Sequence, residues 1–272
     1  MQDRNHTLGP ARPGQHHVSP NPRPDRVTYI GHGSVLLEQD GIRLITDPTL
    51  RRRMGHLTRR VEPVDPAHAE ALDAVLISHV HQDHLDLPSL WRLPSELAVV
   101  VPAGAGRLAR RGRFRDVREL AVGESTAIGS LTIEAVPAAH PGRRPPLGTR
   151  AEAVGYTVAG ATRTYFAGDT DLFDGMSEIG SSLDLALIPI AGWGPKIGTG
   201  HLNPETAAEA LRHLRPRIAV PIHWGTFFPV YWRRHRLLVD PPHEFARNAA
   251  ATAPGVEVRI LKPGESTEIE GG

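Results

Sequence analysis

Cysteine is absent from the 272 residues, which excludes disulfides, thiolate metal ligands, a cysteine nucleophile and iron–sulfur clusters. No run of about 18 apolar residues occurs, so no transmembrane segment is expected. The first 25 residues carry no apolar core of a secretory signal, and a cytoplasmic location is the resulting expectation. Aromatic residues make up only 5% and the formal net charge is +1, a poor basis for a base-stacking or polyanion-binding surface, so no nucleic-acid partner is expected. Lysine is scarce: of 31 basic residues only Lys196 and Lys262 are lysine. Arginine suits bidentate contacts to phosphate or carboxylate, although biased genomic base composition produces the same skew. Against these absences stand an ordinary share of hydrophobic residues, 40%, and fifteen histidines, unevenly clustered.

Residues 1–25 hold five prolines and almost no large apolar side chain, the composition of a disordered tail. Residues 26–272 show no internal linker and are read as one domain. Three short strands are expected up to Asp47, broken at Gly31-His32-Gly33 and at Gln39-Asp40-Gly41. The basic stretch 51–65 reads as a surface loop. Ala74–Ser78 is a continuous apolar run, as in a strand buried on both faces. Short helices are expected over Leu87–Leu93 and Gly106–Arg113, with the basic stretch Arg107–Arg118 as an outer helix face, and a strand over Ala98–Val101. Glu124–Pro137 suggests a hairpin, and apolar strands follow at Val154–Val158, Thr164–Ala167, Leu185–Ile190 and Ile218–Ile222. Asn203-Pro204-Glu205 starts a helix that runs to about Leu214; a helix near Glu244–Ala251 and a strand at Val256–Leu261 close the chain. Strands from both halves with interspersed helices give a layered α/β architecture.

The segment Ser78-His79-Val80-His81-Gln82-Asp83-His84-Leu85-Asp86 follows directly on a buried strand, where α/β proteins build their sites. Three histidines and an aspartate within six residues suit zinc-like cations, which take neutral imidazole and carboxylate at about 2.0–2.2 Å. One tight turn can aim His79 and His81 at one ion while Asp83 and His84 face a second. His140, Asp169 and His223 sit at the ends of expected strands and are candidates to complete two coordination spheres.

These stretches resemble the metallo-β-lactamase superfamily of dinuclear hydrolases. The likeness is carried by Ile30-Gly31-His32-Gly33-Ser34-Val35 leading to Thr46-Asp47-Pro48, by His79–Asp86, by Ala167-Gly168-Asp169-Thr170, by Gly200-His201-Leu202-Asn203-Pro204-Glu205 and by Ile222-His223-Trp224-Gly225-Thr226-Phe227. Within the superfamily they are most similar to the branch of N-acyl-phosphatidylethanolamine phospholipase D and ascorbate-6-phosphate lactonase-like proteins. The resemblance implies a four-layer αβ/βα sandwich with two divalent ions at one edge, zinc foremost and manganese or iron as alternatives. One ion would be held by His79, His81 and His140 and the other by Asp83, His84 and His223, with Asp169 bridging. Asp47 would orient the ligands from behind, and His32 is a further candidate for that duty.

The implied activity is hydrolysis of a phosphodiester or related small ester by a metal-activated hydroxide that Asp83 and Asp169 orient. A lactone, amide or thioester hydrolase and a non-catalytic binding scaffold are the alternatives. His201 is a candidate to bind a developing anion or protonate the leaving group, with a simple loop role as the alternative. Trp193 and Trp224 could line a substrate pocket, or pack in the core; Arg143 and Arg144 could clamp a phosphate, or lie in a solvated loop. The expected partner is a small-molecule or lipid-like ester, although the stretch after His140 lacks the aromatic found in the phospholipase. Oligomeric state is not indicated.

Overall fold

The computed structural model describes residues 24–144, 148–180, 182–192, 197–231 and 236–271. The first half forms a seven-stranded sheet from β1 (Asp25–Gly31), β2 (Ser34–Gln39), β3 (Ile42–Thr46), β6 (Ala74–Leu76), β7 (Ala98–Pro102), β8 (Asp116–Leu120) and the C-terminal β17 (Ser266–Ile269), in the order β17-β1-β2-β3-β6-β7-β8. The second contains β9 (Ser125–Ile128), β10 (Leu131–Pro137), β11 (Val154–Ala159), β12 (Arg163–Phe166), β13 (Leu185–Pro189), β14 (Ile218–Ile222) and β16 (Glu257–Val258), in the order β16-β14-β13-β12-β11-β10-β9. A small third sheet joins β4 (Arg53–Met54), β5 (Leu57–Arg59) and β15 (Phe227–Pro229).

Side chains alternate across a strand, and the parallel centre of the first sheet uses both faces. Leu44, Leu76 and Val100 point into the cluster shared with the second sheet, including Ile133, Tyr156 and Val158. Ile45, Val75 and Val99 point the other way, against Leu87 and Leu90 of α1 (Leu87–Leu90) and Leu108 of α2 (Gly106–Ala109). The far face of the second sheet is covered by α4 (Pro204–Leu214), through Ala207, Ala208 and Leu211, and by α5 (Arg236–Thr252), through Phe245 and Ala249. The result is the expected helix–sheet–sheet–helix stack. A short α3 (Met176–Ile179) completes the helices.

Polar links tie the sheets together in the buried interior. Tyr156 Oη donates to the Ile77 carbonyl at 2.9 Å, and Gln39 Nε2 donates to the Thr162 carbonyl at 2.6 Å. Helix α4 starts as expected: Asn203 Oδ1 accepts from the amides of Glu205 and Thr206, both at 2.9 Å, while Thr206 Oγ1 accepts from the Asn203 amide.

Several expectations need correction. Residues 51–65 are not an irregular loop but carry β4 and β5, whose pattern is too short for a periodicity to register. The basic stretch after Arg107 leaves the helix at Ala109, makes one 3-10 turn and becomes strand β8. Helix α5 starts well before Glu244, the last expected strand shrinks to Glu257–Val258, and β17 was not anticipated. The first strand begins at Asp25, inside the span read as a tail, because Asp25 accepts from the Asp40 amide and from Thr162 Oγ1. Residues 1–23 of that tail lie outside the described residues. No helix among the described residues is long and apolar enough to cross a membrane.

Leu76 is fully buried between the sheets, so Leu76→Ala is expected to cost about 2–5 kcal/mol. Chemical denaturation should show this as a lower midpoint at unchanged slope.

Candidate metal centre

Every residue of the cluster lies in a loop after a strand, at one edge of the sandwich. His32 follows β1, Asp47 follows β3, the 77–86 loop follows β6, His140 comes three residues after β10, Asp169 three after β12, and His223 directly after β14. Three of them are non-glycine residues in the left-handed region, His32 (φ 58°), Asp47 (φ 35°) and His223 (φ 62°). Such conformations concentrate where a site over-determines the backbone.

The hydrogen bonds behind the imidazoles determine what their other nitrogens can do. A carbonyl or carboxylate only accepts, so the ring nitrogen facing it must carry the proton. His140 Nδ1 donates to the Gly200 carbonyl (2.7 Å), His81 Nε2 to the Arg143 carbonyl (3.0 Å), His223 Nδ1 to the Ala191 carbonyl (2.9 Å) and His84 Nδ1 to Asp47 Oδ2 (2.6 Å). The nitrogens left over face one another: His140 Nε2 and His81 Nδ1 at 3.0 Å, His84 Nε2 and His223 Nε2 at 3.1 Å. Two neutral imidazoles arranged this way oppose lone pairs and cannot hydrogen-bond. His79 Nε2 and Asp169 Oδ1 are buried with no hydrogen-bond partner. This donor set fits a divalent cation.

Ligand atoms of His79, His81 and His140 lie within 4.8 Å of one another, as do those of His32, Asp83, His84 and His223 and those of His140, Asp169 and His201. Asp169 stands between the groups, its carboxylate 3.1 Å from His84 Nε2, 3.2 Å from His223 Nε2, 3.3 Å from His201 Nε2 and 3.8 Å from His79 Nε2. His32 Nε2 lies 3.0 Å from Asp83 Oδ2. The His32 amide donates to Thr226 Oγ1 and its carbonyl accepts from the His223 amide. Asp47, fully buried, accepts from the Ser78 amide (2.7 Å) as well as from His84.

Burial pushes most of these imidazoles toward the neutral, ligating form: His140 is lowered to about 4, His223 to about 3, and His79 and His81 fall too. His84 departs from this pattern. Burial opposes its charge, but Asp169, Asp47 and Asp83 outweigh burial and raise it well above the ordinary range. Burial likewise disfavours the charge on Asp169 and Asp83, yet the imidazoles hold both carboxyls well below the usual carboxylate range. The carboxylates of Asp83 and Asp169 therefore demand positive charge, which a proton on His84 or a divalent ion can supply.

Above the cluster opens a cleft of about 430 Å³, walled by Met54, Gly55, His56 and Leu57 on one side and His81, Gln82, Asp83, Asp169 and His201 on the other. Met54 and Leu57 are backed by Phe227. The apolar wall and His56 lie within residues 51–65, and only the tertiary pairing of β5 with β15 places them here. His201 reaches the cleft, with Nδ1 donating to the Gly198 carbonyl at 3.1 Å.

Three substrate-binding expectations are not met by the described structure. Trp224 is buried, stacks on Tyr29 with ring centroids 5.8 Å apart and donates Nε1 to the Pro221 carbonyl, so it packs rather than lines the cleft. Arg144 turns its guanidinium onto the metal loop, where Nη1 donates to the Val80 (2.8 Å) and Leu85 (3.0 Å) carbonyls. Arg143 meets the cluster through its carbonyl, on His81, while the residue itself is exposed. Trp193 lies outside the described residues.

Residues 42–224 match the beta-lactamase superfamily domain. The chain belongs to the metallo-β-lactamase superfamily. Curated relatives of this superfamily member include a UPF0173 metal-dependent hydrolase of Methanopyrus kandleri, 32% identical over 89% of this chain and 99% of the relative. An N-acyl-phosphatidylethanolamine-hydrolyzing phospholipase D of Caenorhabditis elegans is 33% identical over 74% of this chain and 64% of its own length. These relatives include the branch to which the sequence motifs are similar. Among solved structures, Igni18, a metallo hydrolase from Ignicoccus hospitalis, aligns with a TM-score of 0.68 at 23% identity over 91% of this chain and 99% of its own, a likeness of fold.

The backbone carbonyls of Gly200, Ala191 and Arg143 left no trace in the sequence, because every residue has one. Arg144→Met should loosen the 80–85 loop and lower both stability, by roughly 1.5–3 kcal/mol for charged hydrogen bonds lost, and metal content. Arg143→Ala keeps its carbonyl and should change neither, as thermal unfolding and elemental analysis of the two variants will read.

Proposed function

We propose that this superfamily member is a metal-dependent hydrolase with two divalent ions, zinc foremost, that cleaves a phosphodiester or related small ester in the cleft over the cluster. The observation that carries the reading is the set of imidazole nitrogens that face one another in two pairs around the buried Asp169 carboxylate. His79, His81 and His140 would hold one ion, and Asp83, His84 and His223 the other, with Asp169 shared. Imidazole and carboxylate without thiolate suit zinc, with manganese or iron accommodated by the same donors. Ions so held supply a Lewis acid for the scissile group and a water acidified into the neutral range.

The chain's own residues do the rest. Asp83 and Asp169 present carboxylate oxygens that accept from the attacking water and orient it. His32 supports Asp83 from behind, and Asp47 does the same for His84. His201 lies at the cleft wall with Nδ1 committed to Gly198 and Nε2 3.3 Å from Asp169. Burial lowers its affinity for a proton, but the Asp169 carboxylate outweighs this and raises it. From the cleft wall, His201 Nε2 is placed to give a proton to the leaving group. The apolar wall of Met54 and Leu57 suits a substrate with an apolar portion, in keeping with a lipid-like ester. A cytoplasmic setting stays part of this reading.

Hydrolysis of a lactone, amide or thioester is the second reading, favoured by one observation: neither arginine expected to clamp a phosphate lines the cleft. Elemental analysis with a parallel screen of bis(p-nitrophenyl) phosphate and a lactone panel separates the two. Full metal content with no turnover on either panel would leave a binding scaffold. His201→Gln is expected to lower kcat by about 10²–10⁴-fold with both ions still bound. Asp169→Asn, by contrast, should lower metal content itself, and unchanged turnover in that variant after chelation would overturn the metal mechanism.

A further inference from the structure

Ser78 stands just before the metal loop, and neither the proposed ligand set nor the proposed reaction uses it. Its hydroxyl is fully buried and donates to Asp47 Oδ2 at 2.6 Å, while lying 2.9 Å from His79 Nδ1. A serine hydroxyl has one proton. With that proton spent on Asp47, the contact to His79 can be made only by a proton on Nδ1, and Nε2 keeps its lone pair. His79 Nε2 is the buried nitrogen without a partner that faces the cluster.

The hydroxyl has little freedom to do otherwise. The Ser78 amide is held by Asp47 Oδ1 at 2.7 Å and its carbonyl by the Val154 amide at 3.0 Å. Gly168, at φ 61°, passes so close that a Cβ there would come within 2.8 Å of Ser78 Oγ. The turn that presents Asp169 thus closes over the serine.

Resting on the metal-centre reading, we propose that Ser78 is a positioning residue that relays the Asp47 carboxylate to His79. One carboxylate then sets both halves of the centre: Asp47 orients His84 directly, and orients His79 through the Ser78 hydroxyl. The consequence is an asymmetry. Removing the hydroxyl harms only the position built from His79, His81 and His140, whereas removing the Asp47 charge harms both positions.

The test has two readouts apart from activity. Long-range ¹H–¹⁵N correlation on the full-length, histidine-labelled protein after chelation should find the His79 proton on Nδ1 in the wild type and redistributed between the nitrogens in Ser78→Ala. Zinc titration should show one of two ions bound about 10–100-fold more weakly in Ser78→Ala, and both weakened in Asp47→Asn. A His79 proton on Nε2 in the wild type overturns the relay, and this measurement needs no variant to fold. So does a Ser78→Ala protein that takes up both ions as the wild type does. A wild type with the Nδ1 proton that binds no zinc leaves the relay's proton arrangement standing and overturns the hydrolase reading instead.

Discussion

A neutral imidazole has one proton and one lone pair, on opposite sides of the ring, so whatever accepts the proton aims the lone pair. Four ligand candidates in this protein have a carbonyl or carboxylate behind them, from Gly200, Arg143, Ala191 and Asp47. These acceptors come from three loops, Ala191 and Gly200 sharing the one between β13 and α4, and each one removes a tautomer that would turn a proton toward the cluster. Burial then keeps most of the rings neutral, and the carboxylates of Asp47, Asp83 and Asp169 supply the negative potential that calls for a cation. Chemistry at this site depends on that outward pinning of protons more than on any one ligand.

The pinning requires loops held firmly in place, and the sandwich supplies the frame. Ladders on both sides of the cleft end at the same edge, and the short connections that follow are tied down by groups remote from the chemistry. Arg51 pairs with Asp86 at 2.8 and 2.6 Å, and Asp86 in turn accepts from the Ser89 amide, closing the metal loop into α1. Arg144 clamps the same loop at Val80 and Leu85. Left-handed backbone at His32, Asp47 and His223 is a local cost, and their own amides are held by Thr226 Oγ1, the Leu76 carbonyl and the His32 carbonyl respectively.

Division of labour in the cleft follows from the same architecture. One wall is ionic and comes from the long loops; the other is Met54 and Leu57, carried by a short hairpin that β15 anchors. A hairpin of this kind can change its side chains without disturbing the ligand set, so the recognition of a substrate and the chemistry performed on it are separable. That separation is the physical reason a shared fold says little about which substrate is taken.

The dense motif at His79–His84, the helix cap at Asn203, and apolar runs such as 74–78 were legible because their signals are local: donor spacing, capping chemistry and burial on both faces each show within a few residues. His140, Asp169 and His223 could be singled out as ends of strands, though nothing in their own neighbourhoods shows that they meet. The sequence by itself therefore determined the layered α/β class, the superfamily likeness and the inventory of donors. Only the tertiary structure decided which nitrogen of each imidazole faces inward, that Arg144 and Trp224 serve the frame, and that residues 54–57 wall the cleft. Those outcomes depend on backbone carbonyls and on pairings between segments far apart in the chain, and neither leaves a local mark in the order of amino acids.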